Sequence, residues 1–305
     1  MANSLLSWRN WVFETGDLVA PPWYPFLDSA QLSNLRTPQQ LKVAKRSETG
    51  ETVIQYEFEV NVGRPVGVIA LLNHNIVDPG DTNNIQIEVT DASGEFITAN
   101  MTDIVFNSGY GSQILPSLYL FPQDVLGGFS SEIVNRIVIT ISSGVTCGTI
   151  DPYTDDITPE PFQAGVLWAG PAWRPVNGIK FAALQQGITE NARGVYSIGG
   201  QFYPQPQPRQ RLSSFEFGGL LEDEVYSTWV NYPSLQQMAS WCARSRPLIV
   251  IPQNDDDELV YAMGVYGYLT QDPTWTHQDG FMTSTKEGSN NKRMYQAGLQ
   301  MREAL

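Results

Sequence analysis

The sequence predicts a mainly β protein: an N-terminal β-sandwich or jelly roll, followed by a unit of strands around one α-helix. Between residues 51 and 169, short stretches of alternating apolar and polar residues recur with turn signals between them, which is typical of a sandwich. After residue 212 the pattern changes to a strand, one amphipathic helix and further apolar strands. With 305 residues, the chain is long enough to bury two separate cores.

The strands of the first domain are predicted from two kinds of pattern. Ile85–Thr90 and Asn135–Ser142 alternate between apolar and polar residues, so each is expected to turn one apolar face toward the core. Val66–Asn73 is a nearly continuous apolar run, which predicts a strand that is buried on both faces. The predicted strands are 51–62, 66–73, 85–90, 135–142 and 163–169.

The second domain is predicted to contain a helix over residues 220–244. Glu222, Asp223 and Glu224 lie in its first turn, where negative charge complements the helix dipole. Pro233 lacks a backbone donor, so we expect either a kink at this residue or two helices that meet there. The strands around the helix are predicted at 215–217, 247–252, 260–269 and 292–302.

The segment between the two domains has a different composition. Residues 177–211 are rich in glycine, glutamine and proline and show no clear period. Such a segment is typical of a linker, or of a long arm that reaches across to a neighbouring subunit. The predicted division is therefore 1–175 for the jelly-roll domain, 176–211 for the arm and 212–305 for the second domain.

The charge of the chain argues against binding to nucleic acid. The formal net charge is −14 and the isoelectric point is ≈ 4.5, whereas contacts to phosphates depend on Lys and Arg. Charged residues make up only 16% of the chain, against about 25% in soluble domains. This low content suits a surface that is hidden against other subunits, although an ordinary β-rich fold explains it equally well.

The sequence contains no apolar run of the ~18–20 residues that are needed to span a bilayer. Its N-terminus also lacks the basic and apolar regions of a signal peptide. We therefore expect synthesis in the cytoplasm and no insertion into a membrane.

No catalytic residue, cofactor or metal is predicted. His74 follows a buried strand, where a hydrogen-bonded imidazole that anchors a turn is favoured over a catalytic base or metal ligand. Cys147 and Cys242 are far apart and form no zinc or redox motif, so we expect two buried thiols. His277 is expected to be solvated, and Asp255–Glu258 is expected to form a hydrated turn rather than a calcium site.

Five aromatic residues beside prolines or at a strand end form the candidate binding residues. They have two interpretations: their rings either stack on sugars, as in lectin-type modules, or fill the seam between the two domains. The second interpretation is favoured by the sequence. The residues are Trp23, Tyr24, Phe26, Trp168 and Trp173.

Three phrases occur in order along the chain: PVGVIALLNHN at Pro65–Asn75, LWAGPAW at Leu167–Trp173 and PLIVIP at Pro247–Pro252. Together they resemble minor tail proteins of tailed bacteriophages, in particular the distal-tail or baseplate adaptor type. The resemblance covers most of the chain, from about residue 30 to the end. No sugar-binding motif of this family is matched, so the likeness concerns architecture and assembly.

The resemblance implies a tail-tube-like β-sandwich with one flanking α-helix for the C-terminal domain. For the N-terminal domain it implies a jelly-roll β-sandwich of the discoidin-like or galectin-like type. It also implies a homo-oligomeric ring in the tail of the virion, with six copies as the usual number. The partners would be the tail tube, tape-measure or hub proteins and tail fibres. The alternative function is a carbohydrate-binding module that recognises host surface glycans. A polysaccharide-degrading enzyme ranks last.

Overall fold

The computed structural model divides the chain into two compact units. The sandwich unit comprises Arg9–Ala172 and Asp256–Ala262, and the sheet unit comprises Met1–Trp8, Trp173–Asp255 and Met263–Leu305. The structure describes residues 4–14, 17–19, 31–45, 55–107, 117–121, 133–142, 144–151, 154–180, 184–190, 193–196, 202–205, 209–226, 234–253, 260, 263–278 and 294–304.

The predicted fold class is confirmed, because most of the regular structure is strand. The strands up to residue 170 are β1 (Leu5–Ser7), β2 (Asp17–Val19), β3 (Ala44–Lys45), β4 (Gln55–Pro65), β5 (Val68–Leu72), β6 (Ile76–Asp78), β7 (Ile85–Asp91), β8 (Phe96–Ala99), β9 (Val105–Asn107), β10 (Ser117–Leu120), β11 (Ile133–Ser142), β12 (Thr146–Ile150), β13 (Ile157–Pro159), β14 (Gln163–Ala164) and β15 (Val166–Gly170). The later strands are β16 (Gln185–Glu190), β17 (Arg193–Tyr196), β18 (Phe202–Gln205), β19 (Arg209–Leu221), β20 (Leu248–Ile251), β21 (Val265–Leu269), β22 (Thr274–Gln278) and β23 (Met294–Glu303). The helices are α1 (Trp11–Glu14), α2 (Glu222–Tyr226) and α3 (Leu235–Cys242), with a 3-10 helix at Leu32–Arg36.

The sandwich unit contains two larger antiparallel sheets that share one apolar core, together with a three-stranded sheet, β13-β12-β6, and the pair β14-β3. One sheet has the order β2-β4-β11-β7-β8, and the other has the order β15-β5-β10-β9. The predicted alternation is confirmed in β7, where every second residue is buried. All five residues of β5 are buried, as its apolar run predicts. The core includes Ile69, Leu71, Ile85, Ile87, Val89, Leu118, Leu120, Ile137, Ile139 and Ile141.

The sheet unit contains one seven-stranded antiparallel sheet with the order β1-β20-β21-β23-β19-β16. The seventh strand, β22, pairs with the N-terminal half of β23, while β21 pairs with the C-terminal end of β23. One face of this sheet is apolar, and its side chains form a core with those of α2 and α3. The core includes Phe215, Phe217, Val225, Leu235, Met238, Val250, Val265 and Leu299.

The predicted boundary of the first domain needs correction at its N-terminal end. Residues 1–175 were expected to form one domain, but β1 pairs with β20, as Leu6 lies opposite Val250. The first eight residues therefore belong to the sheet unit. Strand pairing across more than 240 residues leaves no trace in a local sequence pattern. The other boundary, near Pro175, lies close to the observed change of unit at Trp173.

The predicted arm over 176–211 is also corrected, because part of it is regular structure. β16 pairs with β19 in the sheet, and β17 pairs with β18 in a two-stranded ribbon. The prediction missed these strands since glutamine, glycine and proline are poor strand formers and β16 shows no apolar alternation.

The single helix predicted over 220–244 is replaced by two shorter helices. Leu220 and Leu221 end β19 instead, and α2 begins at Glu222 with the acidic first turn that the sequence predicts. Ser234 caps the N-terminus of α3, where its side chain accepts a hydrogen bond from the Gln237 N–H. Pro233 itself lies outside the described residues, so the kink or the meeting of two helices at this residue stays a prediction.

Candidate functional site

The edge strand β16 is exposed on both of its faces. Gln185, Gln186, Gly187 and Ile188 are all exposed, and the Ile188 side chain is 56% exposed. One edge of β16 pairs with β19, and no other described strand pairs with its second edge. Such an edge presents unpaired backbone N–H and C=O groups, which can pair with a strand of another chain. We therefore take β16 as a candidate interaction site.

The opposite edge of the same sheet is closed. All three residues of β1 are buried, and Leu6 makes two backbone hydrogen bonds with Trp173. In these bonds the Leu6 N–H donates to the Trp173 carbonyl at 2.9 Å, and the Trp173 N–H donates to the Leu6 carbonyl at 2.8 Å. The sheet can consequently gain a strand at β16 more readily than at β1.

The β17–β18 ribbon continues the pairing of β16 with β19. Glu190 lies opposite Arg209 at the end of the first pair, and Arg193 lies opposite Gln205 at the start of the second. The register changes by only one residue between the two pairs.

A buried ion pair anchors β19 where it meets the edge strand. The Arg211 guanidinium donates to Glu303 Oε1 from Nε at 3.1 Å and from Nη2 at 2.9 Å, and its backbone N–H donates to Oε2 at 3.1 Å. Arg211 Nη2 also donates to the Gly264 carbonyl at 2.9 Å. The two side chains are only 10% and 5% exposed. Arg211 lies opposite Ile188 in the register, so its ion pair with Glu303 holds the part of β19 that pairs with β16.

The open face of the sheet carries a second feature, a polar depression with a volume of ≈ 320 Å³. Hydroxyl and amide groups dominate its lining, and Glu216 supplies the single carboxylate. A neighbouring depression of ≈ 480 Å³ on the same sheet shares two of the lining residues, Gln185 and Ser214. The lining of the first is Gln185, Ser214, Phe215, Glu216, Thr274, Thr276, Gln296, Ala297 and Gly298.

The candidate aromatic residues do not form a sugar platform in the described part of the chain. Trp168 is 1% exposed and meets the Phe13 ring edge-on at 6.0 Å. Trp173 is 5% exposed and packs between Trp8 and Phe217, both 6.0–6.2 Å away between ring centroids. In this structure these two rings therefore have no exposed face on which a sugar could stack. The remaining candidates, Trp23, Tyr24 and Phe26, lie outside the described residues.

His74 is a buried imidazole that anchors a turn, as its sequence context predicts. Its Nδ1 accepts a hydrogen bond from the Ile76 N–H at 3.3 Å, and its ring stacks on Phe106 at 5.3 Å. Among the described residues, none meets the geometry of a hydrogen bond to Nε2. Burial lowers the pKa of His74 to about 4, and the nearby Ser117 backbone opposes this only in part. The imidazole is therefore neutral at pH 7.

The two thiols are in environments that disfavour reaction. Burial raises the pKa of the Cys147 and Cys242 thiols to about 12, so both stay protonated at neutral pH. The other histidine, His277, is exposed and meets the Tyr295 ring edge-on at 5.5 Å.

No three His, Cys, Asp or Glu side chains of the described residues come together as a metal site. The acidic segment 255–258 lies outside that part of the chain. Among the helices that the structure describes, none is long and apolar enough to cross a membrane. The described residues thus offer two features for function: the β16 edge and the polar depression.

The chain matches no known protein family. No curated protein is significantly similar to it either. Any functional conclusion therefore depends on the residues themselves.

Proposed function

We propose that this protein is a structural subunit of a bacteriophage tail tip or baseplate, and that copies of it form a ring of about six subunits. The ring would connect the tail tube to the hub or to receptor-binding fibres, without catalysis. Its place would be the tail of the virion. The three ordered phrases at Pro65–Asn75, Leu167–Trp173 and Pro247–Pro252 support the family, and the open β16 edge supports the assembly.

The observation that carries the assembly is the difference between the two edges of the seven-stranded sheet. A closed ring needs head-to-tail contacts, in which one surface of a subunit meets a different surface of the next. Here β16 is open, whereas β1 is already bonded to Trp173 through Leu6. The contact therefore joins β16 and its ribbon to a surface of the neighbour other than the β1 edge.

The experiment compares two lysine variants of the full chain. Ile188 and Val176 are β-branched residues of the sheet unit with matching exposure, 56% and 59%, but only Ile188 lies on the open edge. Lysine on an edge strand disfavours pairing with another strand. In light scattering coupled to size exclusion, the wild type and Val176→Lys are expected to have the mass of a multimer, and Ile188→Lys a smaller mass.

Two results would contradict the proposal. One is a wild type that remains a monomer at every concentration, also in the presence of isolated tail tubes. The other is equal masses for Ile188→Lys and Val176→Lys, since this outcome would place the subunit contact away from β16. Circular dichroism of both variants should match the wild type, which excludes unfolding as the cause of any change.

A further inference from the structure

We propose that the polar depression around Glu216 binds a neutral, hydroxyl-rich ligand of the oligosaccharide class. This site lies in the sheet unit, away from the aromatic residues that the sequence suggested for sugar binding. It does not depend on the proposed ring, because the depression lies on the open face of a single subunit.

The register of the sheet brings the lining residues onto one face. Directly opposed residues of neighbouring antiparallel strands project to the same side. Ser214 lies opposite Gln185, Gly298 lies opposite both Glu216 and Thr274, and Gln296 lies opposite Thr276. Four strands, β16, β19, β23 and β22, therefore contribute polar groups to a single surface.

A glycine at the centre leaves a recess in this surface. Gly298 lies between Glu216 and Thr274, and a Cβ atom added there would meet no other atom within 4 Å. The missing side chain thus leaves open space above the backbone of β23. A ligand can approach the strand closely at this point, which is one reason for glycine in a strand interior.

Most of the hydrogen-bonding groups in the depression are free within the described residues. The side chains of Gln185, Ser214, Thr274 and Thr276 make no hydrogen bond to another described residue. Each hydroxyl can donate and accept, and the amide of Gln185 can do both as well. This mixture of donors and acceptors matches the hydroxyl groups of a sugar, which also do both.

Glu216 is the one charged group of the lining, and it is held in place by two neighbours. Its Oε1 accepts a hydrogen bond from Lys180 Nζ at 2.7 Å and another from Gln296 Nε2. No described residue bonds to Oε2, and the side chain is 31% exposed. An oriented carboxylate oxygen accepts strong hydrogen bonds from hydroxyl groups. Oε2 is therefore the central acceptor for the ligand.

The charge of the depression favours a neutral ligand over an anion or a cation. Lys180 balances Glu216, because the two form an ion pair across the rim. A sulfated or phosphorylated ligand would meet the carboxylate without a free cation in the lining, and an amine would compete with Lys180. An apolar ligand would leave the hydroxyl and amide groups without partners, which costs free energy.

The experiment uses the full chain and a panel of soluble neutral oligosaccharides: maltotetraose, cellotetraose, chitotetraose and a β1,4-galactotetraose. Binding is followed by saturation-transfer NMR and quantified by titration calorimetry. We expect at least one of them to bind, and Glu216→Gln to weaken that binding about tenfold, the loss of one charge-assisted hydrogen bond. Thr276→Val is expected to weaken it about threefold, since a neutral hydrogen bond contributes less.

Matched controls come from the sandwich unit. Glu88 is, like Glu216, a strand carboxylate paired with a cation, and Thr98 is an exposed strand threonine like Thr276. Glu88→Gln and Thr98→Val are expected to leave binding unchanged. Light scattering of Glu216→Gln should give the wild-type mass, which separates this test from that of the ring.

Three outcomes would overturn the inference. The first is the absence of binding to every oligosaccharide of the panel at millimolar concentration. The second is binding that Glu216→Gln and Thr276→Val do not weaken beyond the two controls. The third is tighter binding of a sulfated oligosaccharide or of an extended peptide than of any neutral sugar, because the lining would then serve a different class of ligand.

Discussion

β8 in the sandwich unit and β16 in the sheet unit are both edge strands with exposed residues, but they differ in what holds them in place. In β8, Phe96 is 65% exposed, but Ile97 packs against the core and Ala99 is 1% exposed. In β16, the described side chains include none that is buried. β8 therefore contributes to the stability of its own unit through core packing. β16 is held instead by its pairing with β19 and by the Gln186 side chain, which donates a hydrogen bond to the Met263 carbonyl at 3.0 Å. No other described strand pairs with its second edge, which remains available to a partner.

The charges of the chain follow a similar division. The sandwich unit contains 22 Asp and Glu and 7 Lys and Arg, a net charge of −15. The sheet unit contains 10 acidic and 11 basic residues, a net charge of +1. Strong like charge opposes the association of identical surfaces, and near-neutral surfaces do not. Contacts between copies are thus favoured in the region that contains β16.

The largest expected effect concerns the anchor of β19. Arg211→Met leaves the Glu303 carboxylate buried without its partner, and breaking a buried ion pair in this way costs about 3–5 kcal/mol of unfolding free energy. Urea denaturation followed by circular dichroism measures this cost. The double variant Arg211→Met, Glu303→Leu should recover much of it, since no buried charge remains. A single variant as stable as the wild type would show that the pair does not anchor the strand.

The second prediction contrasts two isoleucines. Ile87 in β7 is fully buried and Ile188 in β16 is 56% exposed. Ile87→Ala should lower the unfolding free energy by about 2–5 kcal/mol, because it removes buried apolar atoms and leaves a cavity. Ile188→Ala should change it by less than about 0.5 kcal/mol in a dilute sample. Equal losses in the two variants, measured by chemical denaturation, would mean that β16 packs on the core after all.

The third prediction concerns the pH dependence of the sandwich unit. The pKa of His74 is about 4 in the folded chain, below its model-compound value of 6.5. As the pH falls, the unfolded chain is therefore protonated before the folded chain. The neutral His74 contributes fully to the unfolding free energy above pH 6.5, and about 3 kcal/mol of this contribution is lost as the pH falls from 6.5 through 4.

His74→Asn tests this prediction, since the Asn Oδ1 can accept the hydrogen bond of the Ile76 N–H. Thermal unfolding midpoints between pH 4 and 7 should fall less steeply in this variant than in the wild type. Identical pH slopes would show that His74 is not the group responsible. The transition of the sheet unit should keep its own slope in both proteins.

The smallest expected effect is the loss of the helix cap in the sheet unit. Ser234→Ala removes the hydrogen bond from the Gln237 N–H and should cost about 1 kcal/mol. Ser234→Asp should retain most of the stability, because a carboxylate also caps the first turn. Chemical denaturation of the two variants measures the difference. An unchanged unfolding free energy in Ser234→Ala would show that the Ser234 cap does not stabilise α3.

Much of the sandwich unit could be predicted from the sequence because its signal is local. The alternation at 85–90 and 135–142 matches β7 and β11 closely, as one face of each strand is buried. In the sheet unit, the predicted strands at 247–252 and 292–302 match β20 and β23 within two residues. The strand predicted at 260–269 begins later, at Val265.

The candidate site was less predictable, for physical reasons. β16 packs no described side chain into a core, so its sequence QQGITE carries no apolar period. The depression is formed by residues between 185 and 298 that only the strand register brings together. Trp168 and Trp173 are candidates in the sequence because they are large aromatic residues near Gly and Pro. In the structure the large apolar area of both side chains is buried. The polar residues at alternate positions of β23 and β22, such as Gln296, Thr274 and Thr276, were a signal that the sequence offered.

Hydrogen exchange of the backbone amides of β16, measured over a series of protein concentrations, shows whether the open edge of this strand pairs with a second copy of the chain. If β16 receives a strand from a second copy, the exchange of amides 185–190 should slow as the concentration rises, while amides 96–99 of β8 keep a constant rate. Exchange in β16 that is independent of concentration, or that slows only together with β8, would contradict the account.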